Sequence, residues 1–291
     1  MRAKSIAPLV LAILALLSVR PVGAQEAVSL GYNVYVGGFH VFAFDVDLTL
    51  NRSEYAISAS GGTKGVVGLF YDWSARIGAK GAFGHGGLRP TRYDVFTDDE
   101  GRAETMRLRF EAGGRYSIER KPPKRGKRKT LAPELTLGSV DPLSAILAAI
   151  LALAEDGSCA RTIPVFDGKR RYDLRFSHVG PSDVAPSHLS IFRGPAVQCR
   201  FTMTRIAGFT KKRRYAKIWD DSKDNPFTVS FARLSDGGPP LPVRFENDLG
   251  LGLMIIHLAH AKVNGPPASP RQIPVPVSRT APLVPAVGGL N

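Results

Sequence analysis

The sequence predicts a mainly-β protein, a highly curved antiparallel sheet (a half-barrel or β-spiral) around one buried helix. Three observations predict it. Apolar residues alternate with polar ones at period two along most of the chain, the mark of strands with one buried and one wet face. Turn residues separate these runs at short intervals, which argues hairpins and meanders over crossover helices. A single helical segment with no polar face interrupts the pattern.

The clearest strand is Phe42, Phe44, Val46, Leu48 and Leu50, alternating with Ala43, Asp45, Asp47 and Thr49. The same alternation recurs with Met106, Leu108 and Phe110, with Tyr172, Leu174 and Phe176, and with Phe227, Val229 and Phe231. Weaker runs lie at 30–36, 54–60, 69–77, 91–97, 115–120, 161–166, 196–206, 215–220 and 241–246. Turns are expected at Asp98-Asp99-Glu100-Gly101, Gly113-Gly114, Asp167-Gly168 and Asp236-Gly237-Gly238, where acidic residues and glycines meet. The helix opens on Asp141, a good N-cap, with Pro142 at its first position. Leu143, Ile146, Leu147, Ile150, Leu151 and Leu153 follow, spaced by alanines as far as Glu155. A helix apolar all round is buried on all sides, which asks a sheet to wrap around it; a core helix on a flat sheet is the simpler alternative. Residues 252–263 are apolar on both parities and read as a doubly buried strand or a helix, with Asn247-Asp248 favouring a closing hairpin strand.

Residues 1–24 read as a secretory signal peptide: Arg2 and Lys4, an uncharged run from Ser5 to Val19, then Val22-Gly23-Ala24 before Gln25. The run is too short for a membrane anchor, which needs about 20 residues. The expected organisation is this signal, a single β-rich domain over 25–264, and a disordered tail over 265–291 that holds seven prolines and no aromatic. A periplasmic location follows as an expectation. Export gives the two cysteines a meaning: in an oxidising compartment Cys159 and Cys199 are expected to be bonded to each other, closing a loop worth roughly 4 kcal/mol.

The formal charge is +14, and falls to +11 without Arg2, Lys4 and Arg20. It is concentrated in Arg120, Lys121, Lys124, Arg125, Lys127, Arg128 and Lys129, and in Lys211, Lys212, Arg213 and Arg214. Outside the cell such a patch suits an anionic partner such as phospholipid, lipopolysaccharide or cell wall, and not nucleic acid. Contact with a membrane would be peripheral rather than integral. Two solvated loops are the plainer reading.

Signatures of chemistry are sparse. The chain has no G-x-S-x-G, H-E-x-x-H or P-loop motif and no EF-hand. His257 and His260 would point to opposite faces of a regular strand and so make no metal pair. Gly61-Gly62-Thr63-Lys64-Gly65 is not followed by a clear helix, as a phosphate loop requires. Asp220, Asp221 and Asp224 lack the glycine and final Glu of a calcium loop. No enzyme, metal or cofactor is expected.

The order of several short motifs carries a resemblance. They are Tyr32-x-Val34 with Gly37-Gly38, Gly87-Leu88-Arg89-Pro90-Thr91-Arg92-Tyr93, Asp141-Pro142-Leu143-Ser144, Val165-Phe166-Asp167-Gly168-Lys169-Arg170, and Pro242-Val243-Arg244. From Tyr32 to Val263 the chain resembles the bacterial envelope family known as domain of unknown function 3108. The resemblance implies a sheet curved around a helix, similar to the LolA/LolB lipoprotein carriers, whose concave apolar face receives acyl chains. It brings no catalytic residues. The expected function is thus a non-enzymatic envelope protein that binds an apolar or lipid-like ligand or a lipoprotein. Phe42, Phe44, Ile146, Leu147, Phe227, Val229 and Phe231 are the candidate ligand face. The alternative is an interaction module with a filled core, docked on an anionic surface by its basic loops.

Overall fold

The computed structural model describes residues 26–84, 86–122, 130–209, 226–250 and 252–264. The signal segment, the tail, the strand expected at 215–220, Asp220, Asp221 and Asp224, and most of both basic clusters lie outside them.

Among the described residues, thirteen antiparallel strands form one sheet. In the first half are β1 (Glu26–Val36), β2 (Phe39–Leu50), β3 (Glu54–Thr63), β4 (Trp73–Gly84), β5 (Gly87–Asp99), β6 (Arg102–Phe110) and β7 (Tyr116–Lys121). In the second are β8 (Arg161–Phe166), β9 (Arg171–Val184), β10 (Gly194–Ala207), β11 (Phe227–Arg233), β12 (Pro240–Asp248) and β13 (Leu253–Asn264). Each half is a meander, and β1 pairs with β13 to join them, so the order runs β7 to β1, then β13 to β8. Tight turns suit the meander: Gly37 and Gly38 connect β1 to β2 with φ of +57° and +86°, the twist a two-residue hairpin needs.

Bulges bend this sheet. The register slips at Gly31/Tyr32 and Val34/Tyr35 on β1, at Lys80/Gly81, at Gln198/Cys199 and at Ser230/Phe231, and each slip adds local twist and coiling. The two edge strands are thereby brought together without forming a ladder. Tyr116 on β7 and Phe166 on β8 approach to 4.6 Å between ring centroids, and Arg120 Nη2 donates to the Gly168 carbonyl at 3.4 Å. Residues 130–141 fill the seam. Leu131 N–H donates to Tyr116 Oη at 2.7 Å. Val140 bridges β8 through its own N–H to Pro164 O and through Phe166 N–H to its carbonyl, at 2.9 and 2.8 Å. Residues 130–141 thus bridge the two edge strands at these points, which limits the open edge each presents.

The long helix α3 (Pro142–Asp156) occupies the hollow; the shorter α1 (Gly65–Phe70) and α2 (Pro133–Thr136) lie in connections. Leu147 packs into the large cluster built by β1–β6 and β12. Ala145 and Ala149 lie against Ile163, Val165, Leu174 and Phe176 of β8 and β9. Ile150 and Leu153 meet Val229, Phe231 and both cysteines. The helix touches both halves of the sheet, so the enclosed arrangement holds and the flat sheet does not. The alanines are the spacers that let β8 and β9 approach its backbone.

Local expectations are corrected at the glycine-rich stretch and at the two histidines, and one is borne out between them. Residues 69–72 are not strand: α1 follows the glycine-rich stretch, Gly65 turns the chain at φ +54°, and β4 starts only at Trp73. Thr63 pins this excursion, its hydroxyl donating to Tyr71 O at 2.8 Å and accepting from Trp73 N–H at 3.1 Å. Residues 253–264 are a strand, in keeping with the hairpin reading. Within it His257 pairs with Asn33 and His260 with Gly31. Because Ala259 is the extra residue of a bulge, both histidines fall on the same, outer face. His260 Nε2 reaches Asp45 Oδ1 at 3.1 Å across Gly31, where a Cβ would collide with the imidazole.

At the start of α3, Asp141 caps the helix as its sequence position predicts. Its carboxylate accepts from Ser144 N–H at 2.9 Å and from Ser144 Oγ at 2.5 Å. Ser144 has spent its hydrogen there, so Tyr55 Oη donates to Ser144 Oγ, at 2.8 Å. Burial pushes the Asp141 carboxyl above the ordinary carboxylate value, while the Ser144 hydrogen bonds pull it down. A folded-state pKa that is raised stabilises fully below the ordinary value, and that stability is lost as pH rises through the raised one. Asp141→Asn keeps an acceptor for the cap without a charge to bury. At neutral pH it is expected to match or exceed the wild type, with the gap closing on acidification. Asp141→Ala is expected to lose about 0.5–2 kcal/mol. Urea midpoints at neutral and acid pH check both; an Asn variant as weak as the Ala variant would refute the reading.

Candidate functional site: an apolar hollow under the helix

Between α3 and the strands β1, β2, β3 and β12 lies a cavity of about 180 Å3. Leu143, Ile146, Leu147 and Ile150 form its helical wall. Leu30, Tyr32, Phe44, Val46, Leu48, Ile57 and Ala59 form the sheet wall, and Leu241, Pro242 and Phe245 close it on β12. The period-two alternation explains the sheet wall, since every second residue of each strand faces the helix. The one polar group in the lining, the Tyr32 hydroxyl, donates to the Pro242 carbonyl at 2.7 Å. Burial drives that phenol's pKa upward, so it stays protonated. The lining therefore presents apolar surface with its single hydroxyl already satisfied. A cavity of about 150 Å3 walled by such residues stays dry and accepts small apolar molecules; clefts for whole ligands run to about 300–1,000 Å3.

Of the seven residues expected on a ligand face, Phe44, Ile146 and Leu147 line this cavity. Phe42 lies next to it, 6.2 Å from Phe44 and 5.6 Å from Trp73 between ring centroids. Phe227 instead stacks on Phe201 at 5.0 Å, and Val229 and Phe231 pack with Ile150 and Leu153 around the cysteines. The sheet is too wide for all inward aromatics to converge, and the two halves serve different faces of α3. Tyr32, Pro242 and Phe245 escaped the sequence reading; the alternation of β1 and β12 was their only signal.

Cys159 and Cys199 are bonded, with Cα atoms 6.4 Å apart. His178 Nδ1 lies 3.8 Å from Cys159 Sγ. These three are the only group of metal-ligand type that converges among the described residues, and the disulfide occupies both sulfurs.

Of the basic clusters, Arg120 and Lys121 are described. Lys124, Arg125, Lys127, Arg128, Lys129, Lys211, Lys212, Arg213 and Arg214 are outside the described residues. Strand direction nonetheless fixes at which end of the sheet β7 and β10 finish. β7 and β10 run parallel to β1, β3, β5, β8 and β12, so all end on the side that bears α1. There the β8–β9 turn links them: Arg120 donates to Gly168 O, and Gly208 lies so close to Lys169 that a Cβ would collide with its carbonyl.

The site and fold define a class: an open, barrel-like antiparallel sheet that encloses one apolar helix and a small apolar hollow. Residues 31–253 match the family described as "Protein of unknown function (DUF3108)", and the chain belongs to that family. No curated protein matches the chain. A crystal structure of a beta-barrel-like protein of domain of unknown function DUF1849 from Brucella abortus is similar in shape. It is 12% identical, with a TM-score of 0.47, over 83% of this chain and 98% of that one.

Proposed function

We propose that this is an exported, non-enzymatic protein of the bacterial envelope that holds part of an apolar, lipid-like molecule between α3 and the sheet. The observation that supports this is the hollow itself: about 180 Å3 with apolar walls and its one hydroxyl already bonded. Burial of apolar surface is the only attraction such walls offer, so selectivity would rest on shape. The volume suits a segment of acyl chain. Phe42 and Trp73 extend the same inner face beyond Phe44.

Mass spectrometry of lipids extracted from the natively purified protein tests this. The wild type is expected to carry lipid. Ala59→Phe, which places a ring in the hollow, is expected to carry about tenfold less, a difference of about 1.4 kcal/mol in binding. A wild type free of lipid, with an Ala59→Phe variant more stable than its parent, would establish the alternative, an interaction module whose core merely needs filling.

A further inference from the structure

The end of the sheet that bears α1 combines two features. Seven of the eleven large apolar side chains that are exposed among the described residues lie there. The foremost are Phe70 and Leu69 of α1, 83% and 80% exposed, with Phe39 at 65% and Val66 at 54%. None of the six residues of α1 is buried. The connection is nevertheless anchored, by the Thr63 hydrogen bonds at its base and by Lys64 N–H to Val41 O at 3.0 Å. It therefore presents apolar side chains outward from a fixed position.

Across the same end lie Arg120, Lys121, Lys169, Arg170 and Arg205, around the β8–β9 turn. Arg170 and Arg205 flank the Phe209 ring, at 6.0 and 4.9 Å from its centroid. Acidic residues are present in both arcs. Asp167 pairs with Arg170 at 2.7 Å and Glu119 with Lys121 at 3.7 Å, leaving the second arc with five cations against two acids, while Asp72, Asp98, Asp99 and Glu100 lie near α1. Arg102 pairs with Asp99 and Glu100, and Tyr71 Oη donates to Asp99. The rim thus has an apolar arc at α1 and a cationic arc at β7–β10.

We propose that this end docks on the surface of an anionic lipid bilayer. Val66, Leu69, Phe70 and Phe39 enter the boundary between head groups and acyl chains, and the cationic arc meets the head groups. The charge argues for lipid as the occupant: the chain carries +11 without Arg2, Lys4 and Arg20, and β7 and β10, the strands that precede the two basic clusters in sequence, both end here. The side chains argue the same way. Protruding Leu and Phe beside Tyr71 match the aliphatic and amphipathic aromatic groups that settle at a membrane interface. No described helix is long and apolar enough to cross a membrane.

The test is flotation of the full chain with vesicles of phosphatidylglycerol mixed into phosphatidylcholine, and with phosphatidylcholine alone. Binding is expected only to the anionic vesicles. It should fall as salt shortens the Debye length from about 10 Å at 0.1 M to about 3 Å at 1 M. Leu69→Ser with Phe70→Ser, at two exposed sites, should retain the wild-type melting temperature and bind about tenfold more weakly. Equal flotation of this variant and the wild type would overturn the proposal. So would a wild type that self-associates in solution and becomes monomeric in the variant, since the apolar arc would then face a second copy. The result is separable from the cavity reading, because Ala59→Phe fills the hollow and should leave flotation unchanged.

Discussion

Breaking the Cys159–Cys199 bond is expected to lower stability by about 4 kcal/mol. The bond joins residues 40 apart, and on the chain-entropy view a loop of that length restricts the unfolded chain by roughly this amount. It also ties the end of α3 to the middle of β10, since Cys159 follows the helix by three residues and Cys199 faces Val229 across the sheet. Both sulfurs are sealed among Ile150, Leu153, Val229 and Phe231, so the reduced thiols would remain packed and most of the loss would arise in the unfolded state. Urea denaturation with and without reductant measures it. The midpoint should fall and the m-value rise, because the released chain exposes more surface. An unchanged midpoint after confirmed reduction would refute the expectation.

Leu147→Ala is expected to cost about 2–5 kcal/mol. Leu147 is 1% exposed and forms part of both the main cluster and the cavity wall. Shortening it would enlarge a hollow that the surrounding strands already leave unfilled, and the loss grows with the empty volume that remains. Ile146, only partly buried and facing the same hollow, should lose less on truncation. A Leu147→Ala variant within about 0.5 kcal/mol of wild type, as for a surface change, would show that the helix is not enclosed.

Much of the fold was legible because alternation is a local property. Phe42 to Leu50, Met106 to Phe110 and Phe227 to Phe231 are strands with the predicted faces, as the pleat demands. Asp141-Pro142 and the apolar run after it marked α3 to within a residue. The bulges were not legible, since one extra residue such as Ala259 leaves no compositional trace, yet it moved His260 onto the face of His257. Nor was α1: Val66, Val67, Leu69 and Phe70 are apolar on both parities and read equally as strand.

The sequence by itself determined most of the strands, the polarity of their faces, the long helix α3 and the family. These follow from side-chain period and turn chemistry, which act over a few residues. The tertiary structure alone decided that β1 pairs with β13, that β7 and β8 meet through side chains, and that α3 leaves about 180 Å3 unfilled against β1–β3 and β12. It also decided that the bases of both basic clusters and α1 share one end of the sheet. Pairing partners far apart in the chain are chosen by the summed packing of many side chains and by the curvature that bulges impose; no local pattern encodes that sum.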